Sequence, residues 1–214
     1  MTFLPDLSTF FAFSLAAIVL AITPGPDMTL FLSRALRHGT ASGIVSMLGA
    51  TVGTMVHTVL AVAGISALIA ASPVAFGVLK IVGALYLLWL AYQAVFQGST
   101  FQLDAGPARK PVSLWRSFMT GIGVNLLNPK VVLFFMTFLP QFVTASDPAA
   151  WSKMLVLGLY FGVLTAPLMA VMIFAARGFA DALQRRPAIS RGIDYVFGSI
   201  FCLFAVRILF AEGR

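Results

Sequence analysis

Six stretches of predominantly apolar residues follow one another through this chain: 8–35, 41–70, 74–96, 117–143, 152–176 and 190–211. Crossing a bilayer as a helix takes about 20 such residues. Within lipid every backbone N–H and C=O must be satisfied inside the protein, which leaves only helices or a closed barrel. Apolar runs of this length predict helices. Composition agrees, with 60% hydrophobic residues, 10% charged residues and a mean hydropathy of +0.98, whereas a soluble domain carries about a quarter charged residues. The expected fold class is an all-α integral membrane protein of six transmembrane helices, with the lipid bilayer as its first partner.

A net charge of +7 raises the question of nucleic acid. The charges lie in the loops and form no basic face, so no nucleic-acid partner is expected. They report topology instead. Arg34 and Arg37 follow the first span, Arg109, Lys110 and Arg116 precede the fourth, and Arg177, Arg185, Arg186 and Arg191 join the fifth to the sixth. The alternate loops hold no base around 71–73 and only Lys153 between the fourth and fifth spans. Both termini are therefore expected outside the cytoplasm. The first span does not read as a cleaved signal peptide: no basic segment precedes it, Asp6 stands at its start, and it runs into Pro-Gly-Pro. A single Cys202 in the last span excludes a disulfide framework and a Cys-x-x-Cys redox pair, and a packing thiol is expected there.

Two of the spans are broken. Thr23-Pro24-Gly25-Pro26-Asp27 interrupts the first and Asn125-Leu126-Leu127-Asn128-Pro129-Lys130 the fourth. Proline lacks an amide proton and clashes with the preceding turn, yet suits the first position of a new helix behind a Gly or Asn cap. Each broken span thus predicts two half-helices, the second starting at Pro26 or Pro129. Half-helix N-termini offer unpaired amides and partial positive charge, a seat for an anion. Paired broken helices with buried charges are how many secondary transporters build a substrate site. The plainer reading is a proline kink in each.

Three spans precede a polar segment at about 98–111 and three follow it, so the second half is inverted relative to the first. The halves run about 1–97 and 112–214 within a single transmembrane domain. Laying Pro26-Asp27-Met28-Thr29-Leu30-Phe31 on Pro129-Lys130-Val131-Val132-Leu133-Phe134 matches Pro, Leu and Phe at one constant offset. The next span of each half carries Gly-x-x-x-Gly, Gly49 with Gly53 and Gly158 with Gly162. A 3+3 inverted repeat is expected. The glycine pairs are read as close helix approach within one chain, and a homodimer stays open.

The candidate site residues cluster at the breaks: Gly25, Pro26 and Asp27 in the first, Asn125, Asn128, Pro129 and Lys130 in the second. Asp27 lies about 8 Å to the cytoplasmic side of its span's centre at 1.5 Å per residue. It can hold a substrate ammonium group or take up a proton; it can also merely complement the half-helix dipole. Lys130, at mid-span, can contact substrate or pair with Asp27. Asn128 reads as the cap, leaving Asn125 for ligand or another helix. His57, in mid-span, can relay protons near neutral pH or stay neutral and bond across helices. Lys80, Asp194 and Arg207 lie nearer span ends. Phe134, Phe135, Phe138 and Phe142 face lipid or neighbouring helices, and Trp89, Trp115 and Trp151 are placed as interfacial anchors.

Taken in order, Thr23-Pro-Gly-Pro-Asp27, Arg34 and Gly39, Gly53 with His57, Lys80-Ile-Val-Gly83-Ala-Leu-Tyr86-Leu, Asn125-Leu-Leu-Asn128-Pro129-Lys130 and Phe138-Leu-Pro-Gln141-Phe142 resemble the LysE/RhtB family of bacterial amino-acid exporters. The resemblance spans nearly the whole chain. It implies a small exporter of amino acids or close derivatives in the bacterial inner membrane, driven by the proton gradient; the loop charges then put both termini in the periplasm.

The resulting expectation is a secondary active exporter working by proton antiport and alternating access, its substrate held where the breaks meet. Asp27 and His57 are the candidates for proton coupling. A cation or metal-ion exporter of related architecture is the alternative, but only Asp27 and Asp194 offer intramembrane carboxylates, few for a metal. Without a paired nucleophile motif, acidic cluster or metal-ligand set, no enzyme activity is expected. No cofactor and no resident metal are expected either.

Overall fold

The computed structural model describes residues 3–71, 73–97, 112–144, 147–176, 178 and 187–210. Among these residues the regular structure is helical throughout. The expected segment 98–111, and with it Arg109 and Lys110, lies outside the described residues, as do Arg177, Arg185 and Arg186.

The first span is two helices, α1 (Leu7–Ile22) and α2 (Pro26–His38), meeting at 54°. Asp6 caps α1 by accepting the Thr9 N–H at 2.6 Å. α1 buries Phe13, Ala16, Ala17 and Leu20 at helical spacing and leaves Phe11 and Leu15 more than 60% exposed on the other side. An apolar face turned outward on this scale belongs against lipid tails. α3 (Thr40–Ala71) runs through the middle of the molecule and touches α2, α5 and α7. α4 (Pro73–Tyr92) ends in a π-turn over Gln93–Gln97.

In the second half, α5 (Leu114–Leu126) and the segment opened by α6 (Pro129–Leu133) meet at 53°. After five residues α6 widens into a π-turn (Phe134–Phe138) and then tightens into a 3-10 turn (Leu139–Phe142). The expected second half-helix starts at Pro129 and runs through three windings. Pro140 supplies the cause, since it has no N–H to donate to the carbonyl four residues back and its ring clashes with that carbonyl. The Thr137 hydroxyl donates to the Leu133 carbonyl and the Gln141 amide to that of Thr137, steadying the change of pitch. α7 (Ala150–Phe174) and α8 (Pro187–Phe210) complete the chain.

By length and composition, α3 over Thr40–Gly64 and α7 can each cross a membrane, and each bent pair adds a further candidate. α4 and α8 occupy the expected third and sixth spans and pack on each other. Phe201, Ala205 and Gly198 form the buried stripe of α8, with Phe201 joining Val19 of α1 and Ala91 of α4. Cys202 falls off that stripe and is exposed. The expected packing thiol is therefore an outward-facing one, turned away because the helix face is set by its neighbours at 198, 201 and 205. The phenylalanines of the π-turn point inward: Phe134, Phe135 and Phe138 join Phe13 and Phe161 in the main core.

One contact sets the spacing of everything near the breaks. α3 and α5 meet along Ser42, Ser46, Gly49 and Gly53 on one side and Ser117, Gly121 and Asn125 on the other. A methyl group on Gly49 would lie 2.1 Å from the Phe118 carbonyl oxygen, and one on Gly121 2.0 Å from that of Ser46. Two backbones can approach this closely only without side chains between them. The Ser42 and Ser117 hydroxyls share a hydrogen bond of 3.1 Å at the end of the seam. Gly158 of α7 makes room for a side chain instead, its missing methyl 2.2 Å from Thr58 Cγ2. Both Gly-x-x-x-Gly pairs therefore serve packing within the chain.

Candidate functional site

Both proline breaks open new helices in the way their sequences suggest. Gly25 precedes Pro26 as the cap of α2, its backbone fully extended. Asn128 caps α6, its Oδ1 accepting the Lys130 N–H at 3.1 Å, with Pro129 at the first helical position. The first break leaves carbonyls at the end of α1 with no next turn to bond. Lys130 supplies the donors: its ammonium group donates to the Leu20 carbonyl at 3.0 Å and to the Thr23 carbonyl at 2.8 Å. Thr23 turns its own hydroxyl back to Val19 at 2.6 Å. A cation at a helix C-terminus also opposes the negative end of its dipole. The side chain reaches this place because residue 25 is glycine; a methyl group there would sit 3.2 Å from Lys130 Nζ.

Asp27 lies in the first turn of α2, where the dipole favours a carboxylate. Its Oδ2 accepts from Asn125 Nδ2 at 2.7 Å. Asp27 and Lys130 do not form an ion pair, so the simple charge pair that the sequence allows is absent. Asp27 is instead engaged by the start of its own helix and by Asn125 of the second break, and Lys130 by carbonyls of the first. Asn125 is 2% exposed and reaches Asp27 past Gly53, whose missing methyl would lie 2.6 Å from Asn125 Oδ1. His57, 3% exposed, stands behind Asn125. As the Nε2-protonated tautomer it donates to the Asn125 carbonyl at 3.3 Å, and its ring stacks on Phe135.

Asp27, Asn125 and Lys130 line one cavity of about 60 Å³ between α1, α2, α3, α5, α6 and α7. Thr51, Thr54 and Thr165 add hydroxyl groups to its wall, and Met28, Met47 and Met169 much of its apolar part. Two buried acceptors of this group, Asp27 Oδ1 and Asn125 Oδ1, have no partner within the protein. A buried polar atom left so is costly, and two such acceptors on residues of one cavity wall suit a donor-rich, positively charged group. The cavity is smaller than the ~150 Å³ that admits a benzene ring, so a solute with a large side chain requires it to widen.

Of the residues expected from sequence, Asp27, Asn125 and Lys130 come together on the cavity wall. Gly25, Pro26, Asn128 and Pro129 shape the helix starts around it, and His57 orients Asn125 from behind. The side chains of Lys80, Asp194 and Arg207 lie outside the described residues. Sequence reading did not single out the three threonines or the three methionines. Thr54 beside Gly53, and Thr165 two residues before Pro167, were the available signals.

Comparisons with known proteins place the sequence in a family. The sequence pattern of the LysE type translocator family matches residues 18–212. An uncharacterized membrane protein of Vibrio cholerae serotype O1 is 31% identical over 92% of this chain and 94% of its own length. A homoserine/homoserine lactone efflux protein of Salmonella typhimurium is 30% identical over 95% of this chain and 96% of its own. A leucine efflux protein of Enterobacter sp. is 28% identical over 93% and 94%. No solved structure matches.

Proposed function

The chain belongs to the LysE type translocator family, and on that premise we propose that it exports amino acids or their close derivatives across the bacterial inner membrane. The observation that carries this reading is a carboxylate and an ammonium group, not paired with each other, on the wall of one cavity where two broken helices meet. A zwitterion complements such a wall. Its ammonium group takes the acceptors Asp27 Oδ1 and Asn125 Oδ1; its carboxylate takes the remaining Lys130 N–H, two of the three being engaged by Leu20 and Thr23. The methionine-rich part receives the side chain. Relatives named for leucine and for homoserine efflux support the same substrate class.

Asp27 carries the coupling. Protonated from the outside it loses its hold on the substrate ammonium group; deprotonated toward the cytoplasm it binds the next. Rocking of one half against the other, as an inverted 3+3 repeat with both termini periplasmic, exposes the cavity alternately, and the near-equal bends of the two broken spans support that symmetry. His57 is assigned to positioning Asn125 rather than to a relay, because its contacts are the Asn125 carbonyl and the Phe135 ring. The cation alternative has one carboxylate on the cavity wall, Asp27, against the several oxygen ligands such ions take.

Proteoliposomes loaded with the proteinogenic amino acids and homoserine test the reading under an inward proton gradient. Mass spectrometry should find a small subset leaving, and none leaving through Asp27→Asn. Proton-driven export undiminished in Asp27→Asn defeats the coupling role. No selective loss from folded protein defeats amino-acid export and turns the search to cations.

A further inference from the structure

A second cavity, of about 360 Å³, opens where the far end of α2 faces the start of α5. Arg34, Arg37 and His38 come to it from α2 and Arg116 from the first turn of α5; no carboxylate is among its described lining residues. Arg34 extends toward α5, its Nη2 3.4 Å from the Thr120 hydroxyl. There it meets the like charge of Arg116. Arg34 and Arg116, like charges brought from two helices to one hollow, favour an anion between them, and arginine forks match phosphate oxygens in pairs. The hollow's size falls within the ~300–1,000 Å³ of small-ligand pockets.

Its level in the molecule identifies the source of that charge. Arg34 lies about 10 Å further along α2 than Asp27 at 1.5 Å per residue. Beside Arg116, Trp115 is 67% and Leu114 49% exposed, an outward-facing aromatic and aliphatic pair at a helix end, as found at the boundary between lipid tails and headgroups. We propose that this cavity binds the phosphodiester headgroup of an anionic phospholipid, its acyl chains lying outside against the first turn of α5. The headgroup ties the end of one broken span to the start of the other. This assignment stands independently of what the transport cavity carries.

Native mass spectrometry of delipidated protein in detergent tests it, with phosphatidylglycerol, phosphatidylcholine and glycerol 3-phosphate as probes. Phosphatidylglycerol should be retained at least tenfold better than phosphatidylcholine. The double variant Arg34→Gln/Arg116→Gln should lower that retention about tenfold or more, while Lys153→Gln leaves it as in the wild type. Circular dichroism and elution volume check folding, and if the double variant does not fold the single Arg116→Gln carries the test with the same outcome. Equal retention of both lipids, or equal retention by wild type and variant, overturns the proposal. Displacement of the lipid by an equal concentration of glycerol 3-phosphate overturns the lipid source in favour of a soluble phosphate. Displacement by an exported amino acid makes the hollow part of the transport route and likewise overturns it.

Discussion

Lys130 holds the end of α1 with two hydrogen bonds to carbonyls. Replacing it by methionine keeps the apolar stem but leaves both carbonyls unpaired, at about 1–3 kcal/mol for each buried group. Lys130→Met should therefore lower the melting temperature in detergent as well as abolish export. Lys130→Arg should restore neither, because the side chain is buried and a planar guanidinium needs more room. At Gly53 the same logic applies to Asn125. Gly53→Ala places a carbon 2.6 Å from Asn125 Oδ1, which must swing away and release Asp27. Export measured in proteoliposomes should fall about tenfold or more, the equivalent of one lost charge-assisted hydrogen bond. Gly123→Ala, with nothing within 4 Å of the added methyl, should leave it unchanged.

At the scale of elements, the helix starts were legible in sequence because Gly-Pro and Asn-Pro are local chemistry. Asn128→Ala should cost about 1 kcal/mol through the lost cap, and Asn128→Ser should recover much of it; thermal unfolding in detergent measures both. The change of winding after α6 was not legible, since it depends on how Pro140 meets carbonyls of a helix already running. Ahead of α7, Asp147 accepts from Lys153 and from the Ala149 N–H. These bonds hold its carboxyl below its ordinary value, the Lys153 bond first. A carboxylate of lowered pKa contributes stability above its unfolded value, near 4, and loses it as pH falls through the lower folded value. Asp147→Asn should thus flatten the acid side of the melting-temperature profile below about pH 4, modestly, because the group is exposed and screened.

Across the whole molecule, the polar residues of the site were readable because a charge in an apolar span has few explanations. The lining drawn from α3 and α7 was not: both helices are apolar on most sides, so no polar periodicity says which face looks inward. Glycine spacing was the better guide, since a close approach needs a missing side chain wherever it occurs. The α3–α5 seam joins the two halves of the chain through backbone contacts, which suits a pivot better than a sliding surface. Oxidising a Ser42→Cys/Ser117→Cys pair, built where the two hydroxyls lie 3.1 Å apart, should cross-link the halves and leave export intact. Loss of export that returns on reduction would place the moving surface at this seam instead.

Because the Lys130 ammonium group is bound to carbonyls at the end of α1, its charge stays with the protein while Asp27 changes its own. In the proposed exchange a zwitterion of zero net charge leaves as one proton enters. Each turnover then moves one elementary charge inward, and the exporter is a current source. The membrane voltage contributes about 2.3 kcal/mol per 100 mV to every cycle, so ~100 mV suffices for a ~50-fold outward gradient with no pH difference at all.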